Sequence, residues 1–309
     1  MDAYLERALA QDEDRTSSAR DVFVAATDGF PLAVTLFSPS APKLGARVVV
    51  INSAMAVPRR YYAPFARFLA ASGLRVVTYD YRGIGDSRTG PVGEVQARLR
   101  DWGERDFAAI LEWVGDTLGD AAPAVVGHSV GGQIVGLAAN NARVAKLLLV
   151  GAQSGDWRLW PAASRAKVFA FWYGVVFPVT GIFGYLPPGL LGGEAVPGGV
   201  AREWAHWARR PGYMVGGKDA PRRAGYARLT APIVAYSFDD DDFAPRRAVD
   251  ALLDLYRSSR RTHRRVAARQ LGLRSIGHFG FFRQPQRQRL WIEAREWLTR
   301  VEPDRDRAS

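Results

Sequence analysis

The stretch Ala124-Val-Val-Gly-His-Ser-Val-Gly-Gly-Gln-Ile-Val-Gly136 decides how the rest of the chain is read. A short β-branched run over 124–126 strikes Gly127-His128-Ser129-Val130-Gly131 and turns at once into a helix-like pattern over 131–141. A serine on such a corner leaves the strand and enters the helix with a strained backbone, its hydroxyl pushed out above the sheet edge. So tight a turn drives the residues two before and two after the serine against neighbouring backbone. Glycine fits there, and Gly127 and Gly131 hold both positions. The first N–H groups of the helix point at the serine and favour negative charge beside it. Ser129 is the candidate nucleophile.

Working outward, strands are expected over 21–26 and 32–37, turned at Asp28-Gly29, then over 47–52 and 74–79. A helix is expected over 61–71, with Phe65, Phe68 and Leu69 on one face, and another over 99–118. The strand "KLLLV" follows over 146–150. The alternation resumes with a strand over 233–238, a helix over 246–257, a strand over 265–269 and a helix over 285–301. Eight strands interleaved with helices imply an α/β fold, a mostly parallel sheet with helices on both faces.

Between the sixth and seventh strands the pattern stops. Residues 154–229 are rich in Trp, Tyr, Phe, Gly and Pro, too long a segment for an ordinary loop. The segment reads as an inserted helical lid. The organisation is then a polar segment over 1–20, core over 21–153, lid over 154–229, core over 230–301 and a polar tail over 302–309. The apolar run over 168–191 is long enough for a membrane span, but Pro178, Pro187 and Pro188 are expected to interrupt it. The expectation is therefore no stable span.

A serine hydroxyl needs a base to take its proton. Four histidines are available. His128 sits on a turn that sends its side chain elsewhere, His206 falls in a lid helix, and His263 reads as solvated among arginines. His278, in "SIGHFGFF", follows the last strand on the same sheet edge as Ser129 and is the candidate base. The base in turn needs a carboxylate, in the chain order serine, acid, histidine. "IVAYSFDDDDFAPRRAV" offers four; Asp241 lies four residues before Pro245 and is preferred, with Asp240 next. Asp239 and Asp242 read as solvated, and Arg246 or Arg247 is expected to offset the run. An oxyanion needs two backbone N–H donors, assigned to Val130 and, in "INSAMAVPRRYY", to Met55.

The formal net charge is +11 and the pI about 10.2, yet no nucleic-acid-binding module accompanies the arginines, so nucleic acid is not an expected partner. There is no cysteine, which excludes disulfides and a thiol nucleophile. The first twenty residues lack the apolar stretch of a signal peptide, and a cytoplasmic location is the expectation. No metal or organic cofactor is expected.

The chain resembles the α/β-hydrolase superfamily over 22–298. The matching pieces are "DYRGIGDS" (80–87), "GHSVGG", the strand with its aspartate run, and "IGHFGFF". Within the superfamily it is similar to bacterial hydrolases near the monoglyceride-lipase and serine-aminopeptidase-like branch, whose lid "AREWAHWARRPGY" (201–213) resembles. Many relatives carry His-Gly before the oxyanion residue, where Ser53-Ala54 stands here. The residues together imply a serine hydrolase of small-molecule carboxylic esters, with an acyltransferase or amide hydrolase using the same triad as the alternative and a non-catalytic binding protein of this fold after that. Trp172, Phe177 and Trp204 of the lid are expected to line an apolar acyl pocket. An aminopeptidase should instead offer lid acids, and Glu194, Glu203 and Asp219 are the candidates. Asp80, Arg82 and Asp86 are expected to form a hydrogen-bonded loop beneath the site.

Overall fold

The computed structural model describes residues 16–41 and 47–300. The polar residues expected at 1–15 and the tail at 302–309 lie outside the described residues. Strand β1 (Ser17–Ala25) begins inside the stretch expected to be a polar segment over 1–20. It forms a hairpin with β2 (Pro31–Pro39). The strands β3 (Val48–Asn52), β4 (Arg75–Tyr79), β5 (Ala124–His128) and β6 (Lys146–Val150) follow. After the insertion, which holds a two-residue ribbon of β7 (Tyr185–Leu186) and β8 (Val196–Pro197), come β9 (Ile233–Phe238) and β10 (Arg261–Val266). The main sheet has eight strands in the order β1-β2-β4-β3-β5-β6-β9-β10. It is parallel from β4 to β10, with β1 and β2 antiparallel at one edge.

The central strands are buried on both faces, as strands of a covered parallel sheet must be. Successive side chains point to opposite faces, so each strand feeds two separate cores. Val50, Val77, Val125, Leu147 and Leu149 pack with Trp102, Ile110 and Ile134 on one side. Val49, Val76, Val126, Leu148 and Val150 pack with Phe65, Phe68, Phe281 and Trp291 on the other. Helix α1 (Ala63–Ala71) supplies Phe65 and Phe68 to the second core. Helix α2 (Ala108–Leu118), entered through a π turn over Trp102–Phe107, supplies Ile110 to the first.

Three expectations need correction. The helix after Ser129 is short: α3 (Val130–Gln133) passes into a 3₁₀ turn over Ile134–Leu137 instead of running to 141. The carbonyls of Gly132 and Gln133, which a longer helix would use, accept from the hydroxyls of Tyr256 and Tyr226. The Tyr226 ring also lies against Gly136. The last strand lies upstream of 265–269, at Arg261–Val266, because an arginine-rich edge strand shows no apolar alternation. Finally, the apolar lid run is not broken at Pro178. Helix α4 (Ala162–Phe183) is continuous, and a π turn over Phe171–Val175 re-registers the chain just before the proline ring would meet the carbonyl four residues back. By length and composition α4 is long and apolar enough to cross a membrane, and only 17% of its most apolar window is buried. Helices α5 (Gly198–Ala208) and α6 (Arg223–Arg228) complete the insertion. Helix α7 (Arg246–Leu253) follows β9, and α8 (Ile292–Thr299) is the last helix among the described residues.

Candidate active site

Ser129 follows β5 with φ 51° and ψ −118°, a left-handed conformation that costs a non-glycine residue strain. Its N–H donates to the Val150 carbonyl at 2.9 Å, which ties the turn to the next strand. A Cβ on Gly127 would lie 2.5 Å from the Gly132 Cα, and one on Gly131 would lie 2.3 Å from the Asn52 carbonyl oxygen. Backbone cannot yield at such distances, so both positions demand glycine. Asn52 reinforces the turn by donating to the Gly131 carbonyl at 3.1 Å.

His278 lies in the loop beyond β10, and its Nδ1 is 2.8 Å from Asp241 Oδ2. The other oxygen, Oδ1, accepts from the N–H groups of Phe243 (2.8 Å) and Ala244 (3.1 Å). Both oxygens of this fully buried carboxyl thus accept, which fixes Nδ1 as the donor and leaves Nε2 for the substrate side. Asp240 instead accepts from the N–H groups of Ile276 (2.7 Å) and Gly277 (3.0 Å), so it anchors the base loop and does not touch the ring. Arg246 does not neutralise the aspartate run; it turns to Asp250 at 3.7 Å.

Gly151 escaped the sequence reading. Its φ is +56°, and a Cβ there would sit 3.1 Å from His278 Nδ1 and 3.3 Å from Asp241 Oδ2. Gly151 is also the residue after Val150, the partner of Ser129. It is therefore the backbone that joins the serine turn to the His–Asp pair. A glycine just after a strand that neighbours the elbow was the only available signal.

Val130 and Met55 are buried, and among the described residues neither backbone N–H donates a hydrogen bond. The loop carrying Met55 is held on both sides. Ala54 N–H donates to Tyr62 Oη at 2.8 Å, Val57 N–H donates to the Ala54 carbonyl at 3.2 Å, and Glu194 N–H of the insertion donates to the Ala56 carbonyl at 2.8 Å. Ala56 itself has φ 63°.

The remaining histidines separate clearly. His128 is fully buried on the far side of β5, between Tyr62 Oη (2.8 Å) and the His278 carbonyl (2.9 Å). Burial, with His278 nearby, pushes its pKa well below the usual histidine range. His206 is in α5, where partial burial and the nearby Arg210, Lys218 and Arg209 lower its pKa. His263 is not solvated. It lies within β10, with Nε2 2.7 Å from Ser237 Oγ and Nδ1 2.6 Å from Asp250 Oδ1.

Of the aromatics in the insertion, Trp172 is buried and meets Trp204 edge to face at 4.6 Å. It belongs to the same apolar cluster as Met55 and Val130. Phe177 lies under the Arg209 guanidinium at 4.3 Å and faces a polar cleft of about 880 Å³ lined also by Arg98, Arg202 and His206. Two further aromatics were not foreseen: Phe243, half exposed, with its ring 5.2 Å from that of His278, and Phe279 at 5.1 Å. Phe279 and, beside Met55, Ala56 and Val57 border a pocket of about 290 Å³.

In the loop beneath, Asp80 accepts from the N–H groups of Arg59 (2.6 Å) and Asp86 (3.0 Å). Arg82 is bound to Asp106 and Asp28 instead.

Comparison with known proteins agrees with this architecture. The family described as alpha/beta hydrolase fold matches residues 47–182, the span from β3 through the serine turn into the insertion. The chain has the α/β-hydrolase fold. No curated protein matches the sequence. Among solved structures it is similar to a hypothetical protein from Pseudomonas aeruginosa, with 13% identity, 92% of this chain and 93% of the other covered, and a TM-score of 0.62. An esterase from Exiguobacterium antarcticum shares 18% identity over 91% of this chain and all of the other, with a TM-score of 0.59. A Pyrococcus furiosus esterase shares 14% identity over 93% and 92%, with a TM-score of 0.61.

Proposed function

We propose that this α/β-hydrolase cleaves carboxylic esters of small or medium apolar acyl groups through Ser129, His278 and Asp241. The observation that carries the reading is the buried His278–Asp241 pair, joined through Gly151 to a strained serine turn. Ser129 Oγ attacks the ester carbonyl carbon while His278 Nε2 takes its proton. The tetrahedral oxyanion is held by the N–H groups of Val130 and Met55. The alkoxide leaves with the proton from His278, and water then repeats the sequence on the acyl-enzyme, releasing the acid and free Ser129. Asp241 holds Nδ1–H and stabilises the imidazolium. The esterase names of two structural neighbours support the reading at the level of chemistry.

The acyl group would lie against the apolar cluster of Trp172, with Phe243 and Phe279 on the base side. The lid acids do not favour an aminopeptidase: Glu203 is paired with Arg100, Asp219 with Arg222 and Glu194 with Arg60. The test is covalent labelling by a fluorophosphonate, followed by nitrophenyl esters from acetyl to palmitoyl alongside aminoacyl amides. Labelling at Ser129 with kcat/KM rising toward hexanoyl or octanoyl is expected. Faster turnover of the amides, or labelling elsewhere, would overturn the reading.

A further inference from the structure

We propose that Tyr62 and His128 are positioning residues that couple the oxyanion loop to the loop of the general base through one continuous chain of hydrogen bonds. The inference rests on the Ser129–His278–Asp241 reading above. The chain runs from Ala54 N–H to Tyr62 Oη (2.8 Å), from Tyr62 to His128 Nδ1 (2.8 Å), and from His128 Nε2 to the His278 carbonyl (2.9 Å).

Its proton arrangement has one solution. A carbonyl oxygen only accepts, so His128 Nε2 carries the hydrogen. In a neutral imidazole the other nitrogen then accepts, so Tyr62 O–H donates to Nδ1. The Tyr62 oxygen is left to accept from Ala54 N–H. Burial keeps the ring neutral, which this arrangement requires.

The two ends explain why the chain matters for reaction. A peptide unit is planar, so the Ala54 carbonyl and Met55 N–H point in opposite directions from one plate. That plate is held at the carbonyl by Val57 N–H and, one bond upstream, at Ala54 N–H by Tyr62. The direction of the Met55 N–H is thereby set from the second core. At the other end, His128 holds the backbone of His278, while Asp241 holds its ring. The His128 ring has little freedom to drift, with Tyr62 edge-on at 5.9 Å and Phe282 at 4.9 Å. A single buried ring thus sets the spacing between the oxyanion donor and the base. This chain of bonds holds the loop in which Ser53-Ala54 precedes Met55.

The test compares Tyr62→Phe, His128→Phe and His128→Gln with the wild type, using a nitrophenyl ester and a thermal melt. Tyr62→Phe and His128→Phe should lower kcat about 10- to 100-fold, less than outright loss of an oxyanion donor, with KM within roughly twofold. His128→Gln keeps a side-chain N–H donor and should recover part of kcat even where its Tm equals that of His128→Phe. Imidazole nitrogen NMR of the wild type should show His128 protonated at Nε2 alone from pH 5.5 to 8.5. Wild-type kcat in the folded variants, or a hydrogen on Nδ1, would overturn the proposal. Turnover surviving in Ser129→Ala would strike the triad reading instead, and the NMR result decides the hydrogen-bond chain in either event.

Discussion

Among the described residues one Ser–His–Asp set is joined end to end by side-chain hydrogen bonds, and it is not the one proposed to react. In β9, α7 and β10, Ser237 Oγ lies 2.7 Å from His263 Nε2, and His263 Nδ1 lies 2.6 Å from Asp250. At the sheet edge, His278 and Asp241 are 2.8 Å apart and Ser129 stands on its own turn. The differences lie around the hydrogen bonds. Ser237 lies within β9 and is wholly buried, so no carbonyl can approach it. Ser129 retains 6% exposure, has a left-handed backbone, and precedes a turn whose first N–H is free among the described residues. Asp241 is buried and bound by two N–H groups, whereas Asp250 is 46% exposed and shared with Arg246. Access, strain and unspent N–H donors, more than the spacing of three side chains, separate the proposed nucleophile from Ser237.

The widest expected gap is between the serines. Ser129→Ala should lower kcat on the order of 10⁶-fold, as loss of a triad nucleophile does, and abolish fluorophosphonate labelling. Ser237→Ala should leave kcat within about twofold, because Oγ reaches no substrate. Turnover and labelling assays on both variants would erase the distinction if the effects were alike. The acids come next. Asp241→Asn should cost on the order of 10⁴ in kcat through loss of the Nδ1 tautomer. Asp240→Asn should cost much less, and Asp250→Asn should change only the melting temperature. If Asp240→Asn proved the more damaging, it would be the acid of the site.

A smaller effect belongs to the lid. Each buried CH₂ contributes roughly 0.8 kcal/mol, about fourfold in kcat/KM, so the wild type should gain steeply with acyl length. Trp172→Ala should flatten that slope while acetyl ester hydrolysis survives. An unchanged slope would place the acyl chain elsewhere. The smallest effect is on stability. His128 has its folded pKa depressed below the unfolded value of about 6.5, so the unfolded chain binds the extra proton. That contribution is present above about pH 6.5 and is lost below it, by roughly 1.4 kcal/mol per pH unit. Denaturant melts at pH 7.5 and 5.5 should show the loss, and His128→Phe should reduce it.

Much of this was legible in the sequence because apolar period and glycine placement are local signals. β3, β5, β6 and β9 are β-branched or leucine runs, and Gly127 and Gly131 bracket Ser129 with no other reason to be there. What failed was set by distant partners. The length of α3 depends on two tyrosine hydroxyls some 90 residues or more away, and the edge strand β10 carries arginines on both faces. His263 looked solvated for the same reason, since Ser237 and Asp250 are neighbours only in the folded sheet. Gly151 carried no motif, and its value appears only once Asp241 and His278 lie beside it.

The two-core arrangement of β5 has a consequence for how this chain can change length. Even-numbered positions there face the Phe65 core and odd-numbered ones the Ile134 core, which is why His128 and Ser129, adjacent in sequence, face opposite ways. One extra residue in β5 would exchange them, leaving a hydroxyl beneath Tyr62 and an imidazole on the corner. Insertions and deletions are therefore confined to even numbers in β5. The segment between β6 and β9 has no such parity to keep, and it is there that the chain has accepted its long addition.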